Sequence, residues 1–142
     1  MVSALKRNFE HIYSIELSEM LFAQAKEKFK KYSNVTIIHG DSGIQIGNLI
    51  NFINKPVLFW LDGHYSGDIT AKGEKETPIY EELKSILNAN NLKYVILIDD
   101  ARCFGKLPDY PTIQELIDFV KSKRNDLNIA IEDDIIRIVP DS

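Results

Sequence analysis

A single cysteine, Cys103, among 142 residues excludes an intrachain disulfide and any site built from several thiolates. Long hydrophobic runs are also lacking, since none approaches the ~20 residues that a membrane-spanning helix needs. Met1 to Arg7 lacks the pattern of a secretory signal. The expected location is therefore cytoplasmic, with no membrane partner. Nor is there an excess of basic charge: the net charge is −4, which argues against a dedicated nucleic-acid binder. The two modest basic clusters, Lys26 to Lys31 and Lys121 to Arg124, fall at predicted helix ends, where cations complement the dipole. Repeats, low-complexity tracts and linkers are absent too. What remains, 44% hydrophobic and 27% charged residues, is the composition of one globular domain spanning residues 1–142. A chain of this length buries roughly two-thirds of its unfolded surface.

Two short apolar runs each end in acid: Val57 to Asp62, followed by Gly63-His64, and Tyr94 to Ile98, followed by Asp99-Asp100. Both have strand length, and a helix-like segment, Pro78 to Asn88, lies between them. That order predicts two parallel strands of one sheet, with both acidic ends at the same edge. Upstream, Val2 to Phe9 reads as a helix and Ile12 to Glu16 as a strand. Ser18 caps a helix striped by Leu21, Phe22, Ala25 and Phe29. Val35 to His39 is another strand, leading into Gly40-Asp41-Ser42. Ser42 and Gln45 have capping-box spacing before Ile46, Leu49 and Ile50, and Thr112 and Glu115 repeat it. The last strands, Asn128 to Ile131 and Ile135 to Val139, are too closely linked for a crossover and must form an antiparallel hairpin. The predicted architecture is α/β: a Rossmann-like three-layer sandwich with a mostly parallel sheet.

In such sheets ligands bind beyond the carboxyl ends of the strands. Glu16 stands where an acid accepts hydrogen bonds from ribose hydroxyls, although an acid near a helix start also simply suits the dipole. Asp41 and Ser42 either cap the next helix or hold an adenine amine or sugar hydroxyl. His64 is a candidate general base, with Asp62 beside it. Asp62, Asp99 and Asp100 offer oxygen ligands suited to Mg²⁺ or Ca²⁺, and a solvated acidic rim is equally open. The loop from Tyr65 to Glu74 is long enough to serve as a binding segment. Tyr65, Thr70 and Lys72 are its candidate substrate contacts. Arg102 reads as an ion-pair partner of the adjacent acids, and Cys103 as structural.

Taken together these positions resemble class I S-adenosylmethionine-dependent methyltransferases. The resemblance runs through Tyr13-Ser14-Ile15-Glu16-Leu17-Ser18, Gly40-Asp41-Ser42, Phe59 to Ser66 and Ile96 to Asp100, and extends to the terminal hairpin. It implies S-adenosylmethionine as cofactor, held by Glu16, Gly40, Asp41, Ser42 and Asp62. The Asp-Gly-His-Tyr-Ser stretch is similar to members that methylate hydroxyls of sugars or other small molecules. For those it implies a divalent metal on Asp62 with Asp99 or Asp100, and His64 as base or substrate contact.

The resemblance also implies a first strand and glycine-rich turn ahead of Met1, with that strand lying between the equivalents of Ile12–Glu16 and Val57–Asp62. Three arrangements follow: an N-terminally incomplete domain, which is the expectation here; direct pairing of the two inner strands; or a strand supplied by a partner chain, with a homo-oligomer as one form. Two other functions stand beside methyl transfer to a small hydroxylated metabolite or glycan precursor. One is a non-catalytic α/β binding or assembly module. The other is a metal-dependent hydrolase using Asp62, His64, Asp99 and Asp100.

Overall fold

A computed structural model of the chain describes residues 1–62, 78–108 and 110–141. The elements alternate as expected: α1 (Val2–Leu5), β1 (Ile12–Glu16), α2 (Glu19–Phe29), β2 (Val35–His39), α3 (Ser42–Ile50), β3 (Val57–Leu61), α4 (Ile79–Leu87), β4 (Tyr94–Ile98), α5 (Ile113–Lys123), β5 (Leu127–Glu132) and β6 (Ile135–Pro140). Helix α1 is shorter than the predicted Val2 to Phe9, because the chain leaves the helix in turns after Leu5.

Among the described residues the strands form two hydrogen-bonded sheets rather than one. β1 and β2 pair in parallel, and a four-stranded sheet runs β3-β4-β6-β5. β3 and β4 are parallel in the register Leu61↔Ile98, which puts Asp62 and Asp99 at the same edge, as predicted. β5 and β6 form the antiparallel hairpin. Its two linking residues, Asp133 and Asp134, both have positive φ, as a tight hairpin turn requires. Among the described residues β1 and β3 do not pair, so the inner strands have not closed up. Their inner edges bound an open cleft of about 750 Å³.

The core belongs almost wholly to the four-stranded sheet. Ile96, Ile98, Ile136 and Ile138 of the sheet are fully buried against Leu83 and Ile86 of α4 and Leu116 and Val120 of α5. Each such side chain contributes roughly 1.5–3 kcal/mol by leaving water. No helix among the described residues is long and apolar enough to cross a membrane.

Candidate functional site

The carboxyl end of β1 is tied to the end of β2. The Gly40 N–H donates to the Glu16 carbonyl at 3.1 Å, just beyond the Glu16↔His39 register pair. The Glu16 carboxylate accepts from the Ser18 N–H at 2.9 Å, fixing it where the chain turns into α2, whose cap is Ser18. Gly40 is required here: its φ is +149°, and a Cβ would lie 2.8 Å from Gln45 Nε2. Gly40→Ala is expected to cost about 1–3 kcal/mol in urea unfolding through strain at this turn. A variant as stable as the wild type would show that the turn relaxes freely.

Asp41 makes the α3 cap, its carboxylate accepting from the Gly43 N–H at 2.8 Å. The predicted Ser42–Gln45 capping box is therefore displaced by one residue. Ser42 is the first residue of α3 instead, and its hydroxyl donates to Glu82 of α4. This bond joins the β2 end to the edge of the larger sheet.

Glu82 is the residue that sequence reasoning missed. It is 3% exposed, and among the described residues it is the one buried charged side chain and its Oε2 has no hydrogen-bond partner. Burial pushes its carboxyl up to about 7, and the nearby Asp41, Asp62 and Glu81 carboxylates add to that against the lowering effect of the Ser42 hydroxyl. A signal was present. Glu82 falls three residues after Ile79 and four before Ile86, on the helix face that is buried.

The cleft between the sheets is lined by Ile12 to Ile15 of β1 and by Val57 to Leu61 of β3, with Asp62, Ser42, Ile46 and Glu82 around it. Glu16, Gly40 and Asp41 stand at the adjoining end of β1 and β2. An apolar slot with acids gathered at one end suits a ligand with an apolar or planar body and hydrogen-bond donors.

No family model and no curated protein sequence matches this chain. Solved structures do. A proposed rRNA methylase from Clostridium thermocellum superposes with a TM-score of 0.59 at 13% identity, over 90% of this chain and 73% of that one. A proposed caffeoyl-CoA O-methyltransferase from Staphylococcus aureus gives 0.53 at 16% identity, over 93% of this chain. The N-methyltransferase NodS from Bradyrhizobium japonicum WM9 gives 0.51 at 11% identity, over 93% of this chain and 74% of that one. The fold is that of the methyltransferases. Their acceptors differ, and at these identities the likeness carries the fold alone. The chain spans 65% of the length of the staphylococcal protein.

Within this methyltransferase fold the acidic residues are less concentrated than the sequence suggested. Asp99 accepts from the Asp100 N–H at 2.9 Å, its own N–H continuing the ladder to the Leu61 carbonyl. Asp100 has left-handed backbone angles and pairs with Arg102 at 2.8 Å, the predicted ion pair. Arg102 also binds Asp134 in the hairpin turn. Among the described residues no three metal-ligating side chains converge, and the divalent-cation site expected on Asp62, Asp99 and Asp100 is not supported. Asp100 instead shares the Arg102 guanidinium with Asp134, and one oxygen of Asp99 accepts a backbone N–H. His64, Tyr65, Thr70 and Lys72 lie outside the described residues.

Proposed function

We propose that this chain is the cofactor-binding core of an S-adenosylmethionine-dependent methyltransferase acting on the hydroxyl of a small metabolite or glycan precursor. The observation that supports this reading is the backbone link from Gly40 to Glu16, which brings the acids Glu16 and Asp41 to one strand edge. Glu16 would take ribose hydroxyls, while Gly40, Asp41 and Ser42 would face the adenine side. Asp62 would stand near the acceptor, with His64 as base and Tyr65, Thr70 and Lys72 as substrate contacts on sequence grounds. When bound, the cofactor supplies an activated methyl group for in-line displacement by the acceptor oxygen. The protein's part is to position both groups, take up the hydroxyl proton and exclude water.

Calorimetric titration of S-adenosylhomocysteine into the folded chain tests this reading. Weak binding is expected of this chain, reduced a further tenfold or more, roughly, in Glu16→Ala, as befits a lost hydrogen bond to a charged group. A folded wild-type chain that binds none of it removes the cofactor reading, and unchanged affinity in the variant removes Glu16 from the site. The edges of β1 and β3, unpaired among the described residues, favour one second reading, a non-catalytic assembly module that self-associates through them. A purely monomeric sedimentation profile at high concentration excludes it.

A further inference from the structure

We propose that the cleft takes up one extended, uncharged apolar peptide segment from a separate chain, paired with β1 on one side and β3 on the other. The ladders fix which backbone groups face the cleft, because alternate residues of a parallel strand bond to opposite sides. In β1 the Ile12 N–H donates to the Asn34 carbonyl and the Glu16 carbonyl accepts from the Gly40 N–H, so Ile12, Ser14 and Glu16 turn to β2. In β3 the Val57 N–H donates to the Lys93 carbonyl and the Leu61 carbonyl accepts from the Asp99 N–H, so Val57, Phe59 and Leu61 turn to β4. Tyr13 and Ile15 therefore aim their N–H and C=O groups away from β2, and Leu58 and Trp60 theirs away from β4. All four residues line the cleft, and among the described residues no strand and no backbone hydrogen bond meets these groups.

The shape selects the occupant. Glu10, just ahead of β1, forms an ion pair with Lys55, just ahead of β3, so the amino ends of the two walls lie together. Val2 and Leu5 of α1 and Ile46 and Leu49 of α3 add apolar side chains to the lining. The volume, about 750 Å³, is close to that of one five-residue strand, roughly 17 Å long, 4.8 Å wide and 10 Å deep. A compact ligand fills apolar space but cannot match two rows of donors and acceptors at strand spacing, whereas a peptide backbone does both. An apolar lining calls for a run of apolar residues, as in strands buried on both faces. A folded second copy presents its strand edges only as parts of sheets, and a gap one strand wide admits a lone segment. This inference uses the cleft alone and stands or falls apart from the methyl-transfer reading, which the S-adenosylhomocysteine titration tests separately.

The probe is a soluble peptide capped at both ends, Lys-Lys-Val-Ala-Val-Ala-Val-Lys-Lys, added to the wild-type chain. Emission from Trp60, which lines the cleft, is expected to report saturable binding. A peptide of identical charge with proline for the central valine should bind at least roughly tenfold more weakly, since proline removes a ladder donor. Two further peptides carry N-methyl groups at alternate residues of the apolar run, so that each loses the N–H donors of one side. Both should also bind at least roughly tenfold more weakly, because both sides are used; a peptide added to a single outer edge loses affinity in only one of them. Hydrogen exchange should show the amides of Tyr13, Ile15, Leu58 and Trp60 gaining protection together, by at least roughly tenfold at saturation. Absence of binding, protection on one wall alone, or a proline or N-methylated peptide that binds like the parent overturns the proposal. So does a dimeric sedimentation profile with all four amides protected in the free chain, which assigns the cleft to a second copy.

Discussion

Glu82→Gln is expected to stabilise the protein at pH 8 by about 2–3 kcal/mol more than at pH 4.5. The folded-state carboxyl is raised from 4.5 to about 7, chiefly by burial. Between those values the folded chain keeps the proton that the unfolded chain releases. Stability from this group is therefore fully present below pH 4.5 and is lost as pH rises through 7. At about 1.36 kcal/mol per unit, the whole loss is about 3 kcal/mol. Glutamine is nearly isosteric, keeps an acceptor for the Ser42 hydroxyl and never ionises, so it escapes the loss. Urea unfolding of both proteins at the two pH values measures the difference directly. A gap between variant and wild type that does not change with pH would mean that Glu82 is already solvated or paired. Ser42→Ala should act oppositely, lowering stability at pH 8 by about 1–2 kcal/mol, because it strips the ionised carboxylate of the hydroxyl that serves it.

The same residue marks the boundary of what the sequence makes legible. Local chemistry reads well. Ser18 and Thr112 cap α2 and α5 as their spacing predicts, the latter accepting from the Glu115 N–H at 3.0 Å. The hairpin follows from a gap too short for any crossover. The cap of α3 slips from Ser42 to Asp41 because both residues can accept the orphan amide, and only the backbone path decides between them. Non-local facts read poorly. The pairing of β1 with β2, and of β3 with β4, follows from strand order, but the gap between β1 and β3 depends on what fills it. The buried Glu82 is hidden in turn by an adjacent acid, Glu81, which makes the pair look like dipole-matched residues of a first helical turn. Asp99 and Asp100 misled in the opposite way. Their carboxylates look like a metal platform, whereas a backbone amide and Arg102 take them.

Hydrogen exchange is expected to divide the molecule along the cleft, with amides of β1 and β2 at least roughly thirtyfold less protected than those of β4 and β6. Before Ile46 the only buried hydrophobic side chain is Phe29, while the continuous core lies in the four-stranded sheet with α4 and α5. Among the described residues β1 and β2 pair only with each other, each with one edge that has no strand neighbour there. Their attachment to the rest passes through half-buried contacts such as Ile15 against the core, and through the Ser42–Glu82 bond. A unit with so little buried area opens below the global unfolding free energy, by about 2 kcal/mol if the protection gap is thirtyfold. Substitution should follow the same line. Ile96→Ala, at a fully buried position, is expected to cost about 2–5 kcal/mol, and Ile37→Ala on β2, only half-buried, clearly less. Uniform protection across β1 and β4 would mean that the two sheets open as one unit. A ligand that bridges the cleft should narrow the gap, because it binds only when both walls are in place, and its concentration then sets how far β1 is protected.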